Sequence, residues 1–155
     1  MLRAIIGSGG GSTTAAAGTD ANAIGAIPRW VKVGSALDYT QFSAAALLKT
    51  NTLFSAKAGT VVHEIKLKHS TAFAGPAITA VTAEVGIAGT TDKYLSAFNV
   101  LQAVAATTFG MADSMGSESH TAAVNVTITL RTVGANTAAL TAGVLDVYAL
   151  LSVAL

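Results

Sequence analysis

The sequence contains no cysteine, which excludes disulfide bonds, thiolate metal ligands and a cysteine nucleophile. Charge is also scarce, since charged residues make up 11% of the 155 residues where a typical globular protein has about 25%. Nine basic and eight acidic residues give a net charge of +1. Binding to a nucleic acid normally requires a basic surface that neutralises phosphates. We therefore expect no nucleic-acid partner.

Long hydrophobic runs of the kind that cross a membrane are missing as well. The longest uncharged run, Tyr94 to Ala112, approaches the ~20 residues that a spanning helix needs, but it is interrupted by Ser96, Asn99, Gln102, Thr107 and Thr108. A signal peptide requires an apolar centre of about 7 to 15 residues, and only Ala4, Ile5 and Ile6 follow Arg3 in this way. We expect neither feature, and no membrane partner.

Small side chains take the place of the missing charges and aromatics. The chain has 32 alanines, 20 threonines and 15 glycines, while aromatic residues make up only 6% of it. Soluble monomers usually rely on a charged exterior. A surface this poor in charge therefore predicts that copies of the same chain, or a partner, cover much of it.

The first 26 residues differ in composition from the rest. Gly7 to Gly11 and Ala15 to Ala17 lie in a low-complexity stretch without apolar periodicity, which is typical of a flexible segment. Gly7 and Gly9 resemble the start of a dinucleotide-binding loop, but Ser12 occupies the third glycine position. We predict a flexible arm over residues 1–26, a folded domain over residues 27–155, and no cofactor.

The folded domain shows the two-residue period of β-strands. From Ala122 to Thr132, apolar residues alternate with polar ones, and Val61 to His69 and Ile78 to Ile87 behave similarly. Asp38 to Phe42 has the pattern of a helical turn capped by Asp38. Seven or eight strands with short turns predict an antiparallel β-sandwich, of which the jelly roll is the eight-stranded form. The remaining strand candidates are Pro28 to Val33, Thr50 to Phe54, Tyr94 to Leu101 and Gly143 to Val153.

The last predicted strand is apolar on both faces. One face carries Leu145, Val147, Ala149, Leu151 and Val153. The opposite face carries Val144, Tyr148 and Leu150, with only Asp146 and Ser152 polar. The outer face of a sandwich strand normally meets water. A second subunit therefore covers this face in our interpretation, with a loop or the N-terminal arm as the alternative.

No constellation of catalytic or metal-binding residues emerges from the sequence. His63 and His69 lie six residues apart, about 20 Å along an extended strand, which is too far for one metal ion. The densest polar cluster contains Asp113, Ser114, Glu118, Ser119 and His120. A solvated loop tip accounts for that cluster better than a metal site or a catalytic triad. We expect no metal site and no enzymatic activity.

The aromatic residues raise one further possibility, because sandwich folds often bind carbohydrates. A sugar platform needs exposed aromatic rings clustered on one face, whereas Trp30, Tyr39, Tyr94 and Tyr148 are far apart in the sequence. We therefore predict that these aromatic residues lie in the core or at an interface. A carbohydrate-binding module for host attachment remains an alternative.

Three segments resemble the jelly-roll decoration, or cement, proteins of tailed bacteriophages. They are AGTVVHEIKLKHSTAFAGPAITAVTAEVGIAG from Ala58, YLSAFNVLQAV from Tyr94, and VNVTITLRTVGANTAALTAGVLDVYALLS from Val124. The resemblance extends over roughly Asp38 to Ser152. It implies a structural virion protein that is made in the bacterial cytoplasm and binds the outer surface of the capsid.

The resemblance also implies particular partners and surfaces. The partners would be two further copies in a homotrimer and the major capsid protein of the shell. Val144, Tyr148 and Leu150 would lie at the subunit interface. Leu2, Ile5 and Ile6 of the arm would contact the shell, adding an edge strand to a capsid subunit. A head-fibre or tail-associated protein is the alternative within the same class.

Overall fold

The computed structural model describes residues 27–101, 107–111 and 119–153, and for 107–111 it describes the backbone only. The arm predicted over residues 1–26 lies outside these ranges. Within the described part of the chain, no helix has the length and hydropathy required to cross a membrane.

In the ranges that the structure describes, eight strands form two four-stranded sheets. The front sheet has the order β1-β8-β3-β6, and the back sheet has the order β2-β7-β4-β5. Every neighbouring pair is antiparallel. The strands are β1 (Arg29–Asp38), β2 (Leu48–Ala56), β3 (Thr60–Ala74), β4 (Ala80–Ile87), β5 (Thr90–Asn99), β6 (Thr107–Met111), β7 (Val124–Val133) and β8 (Ala142–Val153).

The strand order is that of a jelly roll. The first strand pairs with the last, the second with the seventh, the third with the sixth and the fourth with the fifth, as in one long antiparallel ribbon. Rolling this ribbon up brings β8 against β3 and β7 against β4, which completes the two sheets. The fold predicted from the sequence, an all-β antiparallel sandwich, is confirmed in this eight-stranded form.

Strand β7 shows the predicted alternation most clearly. Val126, Ile128 and Leu130 are fully buried in the core, whereas Asn125 and Arg131 are exposed. The strand begins at Val124, so the predicted start at Ala122 is two residues too early.

Strand β3 departs from the predicted alternation near its start. The pairing with β8 shifts between Val62 and Glu64, which marks a β-bulge. Val62 therefore packs in the core cluster, and Ile65 and Leu67 follow it there. His63, which the alternation placed on the apolar face, is half-buried and outside that cluster.

The structure also contains a strand that the sequence did not predict. Strand β6 lies at the edge of the front sheet and, among the described residues, pairs with β3, from Thr107 opposite Lys68 to Met111 opposite Glu64. Its sequence TTFGM has no regular alternation. A short edge strand needs no alternation, because the neighbouring strand supplies its pairing.

The predicted helical turn after β1 is present as a 3-10 turn from Tyr39 to Phe42. An Asp38 carboxylate oxygen accepts hydrogen bonds from the backbone N–H groups of Thr40 at 2.8 Å and Gln41 at 3.3 Å. The Thr40 hydroxyl also donates to this carboxylate. This last bond is the main reason that the pKa of Asp38 lies below its usual value. The turn carries Phe42 into the core, edge-on to Phe73 with 6.1 Å between ring centroids.

Gly143 at the start of β8 allows Phe73 to fill the core. Its φ of +135° is strained for a residue with a side chain, and a Cβ there would overlap the buried Phe73 ring. Gly89, in the β4–β5 turn, has a φ of +86° but open space around it.

We predict that Gly143→Ala lowers the free energy of unfolding by about 3 kcal/mol, combining backbone strain with overpacking. Gly89→Ala is the matched control and should lower it by about 1 kcal/mol, from backbone strain alone. Urea denaturation measures both values. Equal losses in the two variants would show that Phe73 moves aside without cost.

Candidate functional site

The three residues predicted at a subunit interface lie together on the outer face of β8. Val144, Tyr148 and Leu150 are each half-buried, while Leu145 and Val147 between them point into the core and are fully buried. β8 is an inner strand of the front sheet, flanked by β1 and β3. Within the described part of a single chain, the apolar outer face of this strand is therefore only partly covered.

Trp30 extends this apolar surface. It lies opposite Leu150 in the β1–β8 ladder and is 47% exposed. Lys32, two residues along β1, lies opposite Tyr148, so Trp30 and Tyr148 are diagonal neighbours on the same face. We call Trp30, Tyr148 and Leu150 the front patch.

One acidic residue, Asp146, interrupts the apolar face of β8. Its carboxylate accepts a hydrogen bond from the Ala36 N–H at 2.8 Å and lies 3.0 Å from the Lys32 ammonium group. Burial raises the pKa of Asp146, but the Ala36 bond and the Lys32 ion pair outweigh this and hold the pKa below its usual value of 3.8. The bond to Asp146 is likewise the main reason that the pKa of Lys32 is raised.

Charged residues flank the front patch on the neighbouring strands. Glu64 lies opposite Leu150 and Lys66 opposite Tyr148 in the β3–β8 ladder. The Lys32 ammonium group lies 5.7 Å from the centre of the Tyr148 ring, within the range of a cation–π interaction. The resulting surface has an apolar centre and a charged rim, an arrangement typical of protein interfaces.

The outer face of the back sheet is different, because threonines dominate it. Thr50 lies opposite Thr129, with their hydroxyl oxygens 2.9 Å apart, and Thr52 lies opposite Thr127. The threonine hydroxyl groups make this sheet surface polar without charged side chains.

An ionic contact on the back face joins the inner strands β4 and β7. The Glu84 carboxylate accepts a hydrogen bond from the Thr91 hydroxyl at 3.0 Å and lies 3.7 Å from the Arg131 side chain.

A second apolar surface lies at one end of the back sheet. Leu48 lies opposite Arg131, and Val133 follows two residues later on the same face of β7. The exposed fractions of Leu47, Leu48 and Val133 are 53%, 42% and 54%. We call these three residues the back patch. No local sequence pattern indicates this surface, because Leu47 and Leu48, at the start of β2, are distant in sequence from Val133 at the end of β7.

The histidines make no metal site in the part of the chain that the structure describes, where no cluster of three potential ligands occurs. His69 is buried beside Phe98. His120 Nε2 lies 2.7 Å from the Tyr94 hydroxyl oxygen. Of the predicted polar loop cluster, Asp113, Ser114 and Glu118 lie outside the described residues, while Ser119 forms a bridge with Val61 of β3.

His63 and Ser152 form a pair that the sequence did not reveal. His63 Nε2 lies 2.7 Å from the Ser152 hydroxyl oxygen, a distance suited to a nucleophile and its base. However, Ser152 is buried, and no carboxylate among the described residues bonds to His63. The bond links β3 to β8 beside the bulge.

Comparison with known proteins supplies a likeness of fold. No family model and no curated protein matches the sequence. Among solved structures, the chain is similar to a chain of the cyanophage Pam1 capsid asymmetric unit, with a TM-score of 0.57 and 17% identity. The match covers 83% of this chain and 88% of that chain. At this identity, the likeness establishes a shared fold.

The Asp146–Lys32 pair predicts a pH dependence of stability. Because the pKa of Asp146 is lower in the folded chain than its usual 3.8, its contribution is present above pH 3.8 and is lost as the pH falls through the lower, folded value. Asp146→Asn should therefore lower the urea midpoint at pH 7, and the gap from the wild type should close below pH 3.8.

Lys32→Gln provides the comparison, since it removes the ion pair and leaves the Ala36 bond in place. In the double variant, the two effects should be less than additive. A gap between Asp146→Asn and the wild type that is constant from pH 7 to pH 2.5 would contradict this account.

Proposed function

We propose that this protein is a structural component of a bacteriophage virion. In this proposal it binds the outer surface of the capsid shell as a homo-oligomer, a trimer, and stabilises the shell as a decoration protein. The observation that carries the proposal is the front patch, an apolar surface on the neighbouring strands β1 and β8 that the described part of a single chain leaves partly open to solvent.

Leaving this apolar surface in water has a free-energy cost. Burial of apolar surface contributes about 25 cal/mol per Å², and a stable interface buries on the order of 1,600 Å² in total. Part of the gain offsets the entropy lost on association. Because Trp30, Tyr148 and Leu150 lie on paired strands, they are held in place before binding, which reduces that loss.

Two further observations support the capsid as the partner. The fold is similar to that of a chain in a phage capsid asymmetric unit, and the sequence resembles decoration proteins. A protein with this role holds surfaces together and needs no reaction centre.

The N-terminal arm provides a second contact with the shell in this proposal. Residues 1–26 precede β1, which is an edge strand of the front sheet. Fully extended, 26 residues reach at most about 90 Å. We propose that Leu2, Ile5 and Ile6 use this reach to contact a subunit of the shell.

Leu150→Asp tests the role of the front patch in self-association. A carboxylate in the buried interface would lack a partner, so we expect the variant to be a monomer of 15.4 kDa at a micromolar concentration where the wild type is larger. Light scattering measures the mass. Ser55→Asp is the control, since Ser55 is exposed on β2 of the other sheet. Wild-type assembly by a folded Leu150→Asp variant would show that the front patch is free.

Capsid binding is tested by adding the protein to undecorated capsids and imaging them by electron microscopy. We expect added density on the outer surface, and a raised temperature of capsid disruption. A variant lacking residues 1–18 should unfold at the same urea concentration and bind at least tenfold more weakly. Density on fibres or on the tail would instead support a head-fibre or tail-associated protein. The absence of any density would defeat the proposal.

One observation favours carbohydrate binding as a second candidate. The structure brings Trp30 and Tyr148 onto one face as diagonal neighbours. Their large separation in the sequence gave no indication of this contact surface. The half-buried ring of Tyr148, with Lys32 near it, leaves Trp30 as the more accessible ring. Binding on a glycan array that is lost in Trp30→Ala would support this candidate.

A further inference from the structure

The N-terminal arm joins the sandwich beside the front patch. Ile27 is the first residue that the structure describes, and it is 72% exposed. Trp30, three residues later, lies opposite Leu150 in the β1–β8 ladder and belongs to the front patch. Residues 1–26 are therefore attached to the body at the margin of this apolar surface, and their attachment point is open to solvent.

The part of the arm nearest to the body is uncharged. The sequence ANAIGAIP over residues 21–28 contains no acidic or basic side chain, and Ile24 is the one large apolar residue between Gly7 and Ala26. Small neighbours such as Gly25 let a backbone approach another surface closely. This segment can therefore place an isoleucine side chain on an apolar surface without bringing a charge to it.

The rim of the front patch favours an uncharged partner. Glu64 contributes a negative charge on β3, while Lys66 on β3 and Lys32 on β1 contribute positive charges. Lys32 already forms an ion pair with Asp146. A charged partner surface would meet like charges somewhere along this mixed rim, which is unfavourable. An uncharged segment meets none.

The dimensions of the front patch suit a short extended segment. Neighbouring strands lie about 4.8 Å apart, and successive residues on one face of a strand lie about 7 Å apart. The patch occupies two such positions on β8 and one on β1, so a few extended residues cross it. From Ile24 to Arg29 the chain spans up to about 17 Å, which exceeds the roughly 10 Å between packed sheets. Ile24 of one copy can therefore reach the front patch of a copy packed beside it.

We propose that residues 19–26 of one copy bind the front patch of the next copy, with Ile24 packed against Trp30 and Leu150. If the arm covered the patch of its own copy, no apolar centre would remain there for a second copy. An exchanged segment sets no fixed rotation between copies, so the exchange can close a ring of three. The proposal rests on the self-association included in the proposed function, and it leaves residues 1–18 available to contact the shell.

Two deletions separate the two parts of the arm. Removal of residues 1–26 should give a monomer at a micromolar concentration where the wild type is larger, whereas removal of residues 1–18 should leave the wild-type assembly. Ile24→Asp should also be monomeric, and Ile5→Asp is the matched control that should assemble. Light scattering measures the mass, and circular dichroism establishes folding. Full assembly without residues 1–26, or a monomeric wild type, would overturn the proposal.

The absence of cysteine from the chain allows a direct test of exchange. The double variant Ile24→Cys, Leu150→Cys is oxidised mildly and separated on a non-reducing gel. A disulfide requires Cβ atoms about 3.8 Å apart. We expect covalent dimers and trimers, because each bond would join the arm of one copy to the front patch of another. The double variant Ile24→Cys, Ser55→Cys is the control, since Ser55 is exposed on the other sheet, and it should give at least tenfold less of these products.

Three results of this experiment would contradict the exchange. A covalent monomer would mean that the arm covers the front patch of its own copy. Covalent dimers of the single variant Leu150→Cys would mean that two front patches face each other. The absence of any disulfide in the Ile24→Cys, Leu150→Cys variant would mean that the arm does not bind there. Failure to bind capsids, with the exchange intact, would instead defeat the proposed function and leave this inference standing.

Discussion

The placement of β8 between β1 and β3 governs both the stability of the sandwich and its outer surface. Along an inner strand, the backbone groups that point to either side meet a neighbouring strand, so β8 is held more firmly than the edge strands. Its inward residues, among them Leu145, Val147 and Leu151, are fully or almost fully buried. The same strand that places these residues in the core therefore also fixes the positions of Tyr148 and Leu150 on its opposite face.

The scarcity of charge follows from how the two outer faces are built. The back face relies on threonine, whose branched side chain suits a strand and whose hydroxyl can bond to a neighbour, as between Thr50 and Thr129. A hydroxyl-covered sheet remains hydrated without repelling a second copy of itself. Charged residues are then available for a few places, and two of these, Glu64 and Arg131, lie beside the apolar patches.

The sequence predicts those parts of the fold that depend on local pattern. The alternation in β7 and the capped turn at Asp38 are properties of neighbouring residues, and both are present. The bulge after Val62 depends on how β3 pairs with β8, and the short strand β6 exists because β3 offers it an edge. Neither the bulge nor strand β6 can be recognised from the pattern of its own residues.

The same distinction applies to the site. The outer face of β8 is predicted from its two-sided apolar pattern, because all its residues lie on one strand. Trp30 joins it only through the β1–β8 ladder, over more than a hundred residues of sequence. The contact between His63 and Ser152, and the grouping of Leu48 with Val133, likewise require the register between distant strands. A single sequence contains no direct measure of that register.

Asp146 shows how a polar contact in the sheet can determine an apolar surface. The β1–β8 ladder is regular from Arg29 to Lys32 and shifts at two places beyond it, up to Leu37. Asp146 spans this irregular stretch, since its carboxylate binds Lys32 on one side and the backbone of Ala36, which has a φ of +47°, on the other. A slip of one residue in β1 would turn Trp30 toward the interior and Val31 toward solvent. By holding the bulged segment in a single arrangement, Asp146 stabilises the register that places Trp30 beside Leu150. The acidic side chain of Asp146 therefore stabilises the apolar surface on either side of it.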